Sequence, residues 1–240
     1  MPVTRGWSYL WACLALSACV HDAARGGTFS SGSLLLSSGD LDPLEAVVNQ
    51  GQLEFSSIFT KTLDNGASIE QLNTALTHNP LPTMVVMEVL ETRGNQRQII
   101  GGYNPQAWGG SGDGYNYTYR SSEQTAFLFN ITTGDILHQR HQGRPAYYQT
   151  YRSSIIDLAF GGGFDLKLTH GLTMGSAREL SYGSGDLDDH NILAEAANTT
   201  FHVGTLEIFT VVPYSPSVPT PNASLAGMFA LLTLLARRPA

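Results

Sequence analysis

The spacing of apolar residues changes near Pro82, and this change predicts the order of helices and strands. Before Pro82, apolar residues recur at the i, i+3, i+4 spacing of a helix with one buried face. Asp42 and Ser68 precede the two periodic runs, so we expect them to cap two short helices. Gln71 completes the second cap, and the first helix should end near Asn49. Beyond Pro82, apolar and polar residues alternate over short runs, which is typical of strands.

The strand-like segments lie mainly in the last two thirds of the chain. They cover residues 83–90, 98–103, 125–131, 136–141, 147–151, 157–160, 164–168 and 205–212, and a short segment at 55–60 precedes them. Many short strands with two helices in the N-terminal third predict an α+β fold built on an antiparallel β-sandwich. The Ser- and Gly-rich residues 27–39 before the first helix predict a flexible leader that merges with the domain edge.

The N-terminal residues 1–26 have the pattern of an export signal or a lipoprotein signal. A positive charge precedes a short apolar run, and small residues follow this run. The segment Leu16-Ser17-Ala18-Cys19 also matches a lipobox, in which Cys19 would receive lipid and become the mature N-terminus. The pattern leaves open ordinary cleavage after Ala18 or near Ala24, and also a buried N-terminal helix.

The C-terminal residues 213–240 combine a linker with a candidate sorting signal. Two prolines precede fourteen apolar or small residues, too few for a comfortable membrane span, and two arginines follow. These flanking residues are Pro219, Pro221, Arg237 and Arg238. The layout resembles the PEP-CTERM sorting tail of exported bacterial proteins, although Thr220 stands where that family usually has Glu. The resemblance implies transient membrane contact and an exosortase-like membrane enzyme as partner; a plain C-terminal anchor is the alternative.

Charge and cysteine content narrow the function classes for the body of the chain. Residues 27–221 carry nine basic and nineteen acidic residues, a net charge of −10. This balance excludes nucleic acid bound through phosphate neutralisation as a partner. Both cysteines, Cys13 and Cys19, lie in the export segment, so the body has no thiol for catalysis, metal binding or a disulfide.

Six segments of the body together resemble the TLDc domain family across roughly residues 34–212. They are Phe55-x-x-Ile58-Phe59, Pro82-Thr83, Ile100-Gly101-Gly102-Tyr103 with Trp108, 125–129 (TAFLF), 159–163 (AFGGG) and 206–209 (LEIF). The resemblance implies a β-sandwich flanked by helices, and it carries over no catalytic residue. Eukaryotic members are linked to oxidative-stress protection and to the vacuolar proton pump, which an exported bacterial chain would not meet. Oxidation resistance would have to work without cysteine.

Carboxylates supply the candidate chemical groups. An acidic cluster follows a Gly-rich turn and comprises Asp186, Asp188 and Asp189. Its oxygens could hold Ca²⁺, but the spacing differs from an EF-hand loop, and we favour a solvated turn. Glu88, Glu91 and Glu207 could serve glycoside hydrolysis only as a close pair. Because Glu88 and Glu207 alternate with apolar neighbours, we expect both to face solvent.

An aromatic, Gly-rich segment supplies the candidate ligand surface. Tyr115, Tyr117 and Tyr119 alternate along it, and flat rings with polar rims suit stacking on sugars. Packing along a β-edge is the alternative for these tyrosines, whereas Trp108 is expected to pack into the sandwich. For the glycines at 161–163 we expect positive φ or close approach of a neighbouring strand, because a strand rather than a helix follows them.

These features predict an exported, non-enzymatic protein of the envelope or extracellular matrix, built on a single domain at residues 27–212, that acts by binding. The expected partners are the export machinery, an exosortase-like enzyme and extracellular glycan, and no cofactor is expected. The expected location is extracytoplasmic, first tethered to the inner membrane and then in the envelope or secreted. The alternatives are a glycan-acting hydrolase that uses surface carboxylates and an oxidation-resistance module.

Overall fold

The computed structural model describes residues 27–90, 97–109, 114–153, 156–169, 171–184, 190–194 and 198–216. The strands in these ranges are β1 (Thr28–Phe29), β2 (Leu53–Lys61), β3 (Thr83–Val89), β4 (Gln98–Asn104), β5 (Gly114–Tyr117), β6 (Phe127–Asn130), β7 (Asp135–His138), β8 (Tyr148–Arg152), β9 (Ile156–Phe160), β10 (Leu166–Thr169), β11 (Met174–Ala177) and β12 (Thr199–Pro213). The helices are α1 (Leu41–Val48) and α2 (Ile69–Thr77). No helix in the described part of the chain has the length and apolar character needed to cross a membrane.

The two helices show how far local capping signals decide their starts. α2 begins as predicted: Ser68 Oγ accepts the backbone N–H of Gln71 at 3.3 Å, and Gln71 Oε1 accepts that of Ser68 at 2.9 Å. α1 begins earlier than predicted, because Asp40 rather than Asp42 is its N-cap and a 3₁₀ turn leads into it. Asn49, at a φ of 54°, ends α1 as expected.

The strands form one hydrogen-bonded sheet that folds on itself along β12, and all its pairs except β1–β2 are antiparallel. Sheet A contains, in spatial order, β1, β2, the C-terminal part of β12, β3, β4, β6 and β7. Sheet B contains the N-terminal part of β12, then β11, β10, β9, β8 and β5. β12 shifts its register with β3 between Val203 and Leu206, where it passes from one sheet to the other. The predicted α+β fold with an antiparallel sandwich is confirmed.

The inner core lies between the two sheets. Side chains of both sheets and of α2 meet there, among them Leu72, Val85, Leu128, Phe160 and Leu168. Trp108 is buried as expected, and its Nε1–H donates a 2.8 Å hydrogen bond to Thr83 Oγ1. Gly102 allows the sheets to approach closely, because a Cβ at this position would lie 2.6 Å from the Phe160 ring.

Sheet A is also covered on its outer face, by α1 and by residues 27–37. Phe29 packs its ring against Phe55 and Phe209, with centroids 5.8 and 5.6 Å apart, and Leu36 is buried beside them. The prediction of a flexible leader is therefore wrong. Its apolar residues have a face of sheet A to cover, and their burial offsets the entropy of ordering a Ser- and Gly-rich segment.

The two ends of the described chain meet at one end of sheet A. Thr28 of β1 and Val212 of β12 both pair with Glu54 of β2, from opposite sides. Since neighbouring strands lie about 4.8 Å apart, these two residues are separated by ~10 Å. β1 runs parallel to β2 and β12 runs antiparallel to it, so the chain enters and leaves the domain on the same side.

Candidate functional site

Six tyrosines and one phenylalanine form a connected set of ring contacts on the outer face of sheet B. We call this set the aromatic surface; it comprises Tyr115, Tyr117, Tyr119, Tyr147, Tyr148, Tyr151 and Phe164. Leu158 and Phe160 of β9 point into the inner core, so Tyr151, which pairs with Ala159 between them, points outward. Tyr115 pairs with Tyr151 in turn and shares its face. The structure thus brings the three predicted tyrosines together with four rings that the sequence did not indicate.

A β-bulge brings both Tyr148 and Tyr151 to this face. Residues three apart on a regular strand point to opposite faces. β5 pairs Asn116 with Thr150 but its next residue, Tyr117, with Tyr148, so the register skips one residue of β8. The skipped residue restores Tyr148 to the outer face, where its ring centroid lies 4.6 Å from that of Tyr115.

The rings differ in exposure, and this difference separates rings that support the fold from rings that a ligand can reach. Tyr115 is half-buried at the centre, and burial, together with the neighbouring phenols of Tyr151, Tyr148 and Tyr117, raises its pKa. Tyr117 and Tyr119 keep 45% and 68% of their surface exposed. Their rings are parallel to within 6° with centroids 5.8 Å apart. The outermost part of the surface therefore offers two aligned phenol rings to solvent.

The glycine triplet supports the aromatic surface from behind. A Cβ on Gly162 would lie 2.6 Å from the Tyr148 ring, and the Tyr115 hydroxyl donates a 3.3 Å hydrogen bond to the Gly162 carbonyl. Gly161 has a φ of 83°, so the expected positive φ and close approach at this triplet are confirmed. Phe164 has a φ of 60°, which is uncommon for a residue with a side chain, and its ring lies 5.3 Å from that of Tyr151.

A buried carboxyl anchors the turn that carries Phe164. Asp165 Oδ1 accepts the backbone N–H groups of Leu180, Ser181 and Tyr182 at 2.6, 2.7 and 3.0 Å. Burial dominates its electrostatics and raises its pKa to about 6, although these hydrogen bonds and the charge of Arg178 act in the opposite direction. Asp165 therefore ties the glycine turn to the segment at 180–182.

Glu207 is buried, and the prediction that it faces solvent is wrong. Its carboxylate accepts the Ser33 hydroxyl at 2.6 Å and the backbone N–H groups of Leu34 and Leu35, each at 3.0 Å. The alternation did place it on the correct face of β12, but the leader covers that face. An open pocket of about 340 Å³ lies beside it, and Glu207 is the only carboxylate among the described residues that line it.

Glu88 is also mostly buried, contrary to expectation, with 12% of its side chain exposed. Its Oε1 lies 2.6 Å from Arg97 Nε, and its Oε2 accepts the backbone N–H of Thr205 at 3.1 Å. The bend of β12 causes this burial, because it brings the strand's backbone over the carboxylate. A Cβ on Gly204 would lie 2.6 Å from Oε2. Glu88 thus helps to hold β12 at the point where this strand passes from one sheet to the other.

Several predicted site residues lie outside the described residues. They are Cys19, Glu91, Asp186, Asp188, Asp189, Pro219, Pro221, Arg237 and Arg238. Among the side chains that the structure does describe, no group of three His, Cys, Asp or Glu could hold a metal ion. The lipobox, the sorting tail and the calcium alternative stay predictions.

Comparison with known protein families covers the same part of the chain as the fold described above. Among curated proteins, none matches the chain. A family model described as the TLDc domain matches residues 33–212, three quarters of the chain. The matched span contains both helices, the point where β12 passes between the two sheets, and the whole aromatic surface. The chain belongs to the TLDc domain family.

Proposed function

We propose that this protein is an exported, non-enzymatic protein of the cell envelope or extracellular matrix that binds polysaccharide through its aromatic surface. One observation carries the proposal: seven rings lie in contact on the outer face of sheet B, and the two outermost phenols keep 45% and 68% of their surface exposed. Phenol rings present flat apolar faces with a polar rim, which suits the alternating apolar and hydroxyl faces of sugar rings.

The exposure of Tyr117 and Tyr119 argues against a purely structural role for this part of the surface. Tyr115 and Tyr148 cover the glycine turn and are half-buried, so they contribute to folding. Among the described rings, Tyr119 contacts those of Tyr117 and Tyr147, and it leaves 68% of its surface in water. Such a ring gains little from folding, and burial against a ligand is what it can still gain.

Export and sorting belong to the same proposal. Residues 1–26 would direct the chain through the export machinery, with Cys19 as a possible lipid acceptor, and the tail at 213–240 would engage an exosortase-like enzyme. The described part of the chain enters at Thr28 and leaves at Val212 on the same side of sheet A, so a membrane attachment at either end would hold the domain by that side.

A hydrolase is less well supported by the geometry. Acid–base cleavage of a glycoside needs two carboxylates that face a shared cleft. Glu207 is occupied by the leader, and Glu88 is occupied by Arg97 and Thr205. An oxidation-resistance role rests on family membership alone, without a thiol in the body of the chain.

Affinity electrophoresis in gels that contain soluble polysaccharide tests the binding proposal. The wild-type protein should be retarded, and the double variant Tyr117→Ala/Tyr119→Ala should bind about 30-fold more weakly, since each ring supplies about 1 kcal/mol of stacking. Leu63→Ala is the matched control, because Leu63 is an apolar side chain that is 70% exposed. Equal retardation of the wild type and the double variant would contradict the proposal.

Mass spectrometry of the mature protein tests the export part separately. We expect the chain to begin at lipidated Cys19 or at one of the ordinary cleavage positions, and to end near Pro221. Recovery of the intact C-terminal tail from the outer medium would remove the sorting proposal and leave the binding proposal untouched.

A further inference from the structure

Basic side chains border the aromatic surface of a protein that is otherwise acidic. Between residues 120 and 178 the chain carries six basic and four acidic residues, a net charge of +2. The rest of the body, from 27 to 221, carries three basic and fifteen acidic residues, a net charge of −12. The segment at 120–178 contains strands β6–β11 and four of the seven rings. The positive charge is therefore concentrated in the segment that follows Tyr119 and supplies strands β8–β11 of sheet B.

Lys167 and Arg178 form a cationic corner at the Phe164 end of the surface. Lys167 Nζ lies 5.7 Å from the centre of the Phe164 ring. Lys167 pairs with Ser176, and Arg178 follows two residues later, so both cations lie on the outer face of sheet B. A Cβ on Gly163 would lie 2.8 Å from Arg178 Nη2, which places this guanidinium against the turn that carries Phe164.

In the part of the chain that the structure describes, no carboxylate occupies either cation of this corner. Among the described side chains, neither Lys167 nor Arg178 lies within ion-pair distance of a carboxylate. Asp165 is the acidic group that faces Arg178, and it is fully buried with Oδ1 occupied by three backbone N–H groups. Arg120 stands at the opposite end, next to Tyr119, and its side chain is 80% exposed, although it lies 3.7 Å from Glu123.

We propose that the polysaccharide bound by the aromatic surface is acidic, with sugar rings stacked on Tyr117 and Tyr119 and sugar carboxylates paired with Lys167 and Arg178. This inference rests on the proposed function and adds the class of ligand to it. A neutral polymer would give the cationic corner no partner. An anionic membrane or a nucleic acid would need a larger basic cluster than these two residues supply, since both are bound mainly through many phosphate contacts, whereas stacking on the two rings supplies part of the affinity for a polysaccharide.

A matched pair of polymers tests the inference. Polygalacturonate and the same polymer with its carboxyl groups reduced to neutral alcohols differ in charge and keep the same backbone. The wild-type protein should bind the acidic polymer about tenfold more tightly at low salt, and this preference should shrink as salt is added. Lys167→Gln and Arg178→Gln, singly and together, should remove the preference and leave binding of the neutral polymer unchanged. Arg97→Gln, at a cation of sheet A, is the control and should keep it.

The outcomes distinguish the inference from the proposal on which it rests. Equal affinity of the wild type for both polymers would overturn the acidic class and leave polysaccharide binding in place. Failure to bind either polymer, or binding that survives Tyr117→Ala/Tyr119→Ala, would overturn the proposed function itself. Tighter binding to phosphatidylglycerol vesicles or to single-stranded DNA than to polygalacturonate would overturn the inference in favour of another polyanion.

Discussion

Replacement of Asp165 by Asn should remove one component of the pH dependence of folding stability. Burial raises the pKa of this carboxyl from its ordinary value of 3.8 to about 6 in the native protein. Between these two pH values, the native state holds a proton that the unfolded chain has released. The contribution of Asp165 to stability is therefore complete below pH 3.8 and is lost as the pH rises through 6. A pKa difference of about 2 corresponds to about 3 kcal/mol.

Urea unfolding of the wild type and of Asp165→Asn at several pH values measures this component. Asn does not titrate, and its side-chain oxygen can still accept the three backbone N–H groups. The free energy of unfolding of the wild type minus that of the variant should fall by about 3 kcal/mol between about pH 3 and about pH 8. Asp64→Asn, which removes a carboxylate from an exposed turn, is the matched control variant. A wild-type-minus-Asp165→Asn difference that stays constant with pH would refute the assignment of the raised pKa to this buried carboxyl.

Two further substitutions test packing and hydrogen bonding in sheet A. Glu207→Gln replaces an acceptor oxygen by an amide N–H₂ group; it should lower the free energy of unfolding by about 2 kcal/mol and accelerate hydrogen exchange in the leader, with Glu54→Gln as control. Unchanged exchange in the leader would show that Glu207 does not hold it. Gly102→Ala places a Cβ 2.6 Å from the Phe160 ring and should cost about 1–3 kcal/mol in thermal unfolding. Gly39→Ala, where the nearest atom would lie 3.8 Å away, should be nearly neutral, and equal melting temperatures for the two glycine variants would contradict the close-packing argument.

Sequence patterns suffice where the decisive contacts are local. The cap of α2 involves residues three apart, and the alternation in β3 is a property of consecutive residues, so both are predictable. β5 and β11 are not, because β5 (GYNY) alternates over only four residues in a Gly-rich segment and β11 (MGSA) has little apolar alternation. Each becomes a strand through the neighbour that pairs with it. The first part of β12 is a strand for the same reason, since β11 supplies its partner.

Alternation along a strand assigns a side chain to a face but does not say what covers that face. This explains Glu207, whose place on the polar side of β12 is predictable while its burial under the leader is not. It also explains the aromatic surface. Tyr115 and Tyr117 follow regular alternation, whereas Tyr148 and Tyr151 share their face only because of a bulge. Phe164 joins them through a left-handed backbone conformation that sequence rarely indicates.

Because Thr28 and Val212 lie side by side, the two ends of the domain are close enough to be joined to each other or to neighbouring positions of another protein. About three extended residues span the ~10 Å between them, so a short loop could close the chain into a ring or splice the domain into a host protein. New termini opened at the exposed Gly134 turn would then give a circular permutant that leaves every strand intact. By the same geometry, replacing a lipid anchor at one end by a peptide anchor at the other would keep the orientation of the domain relative to the membrane.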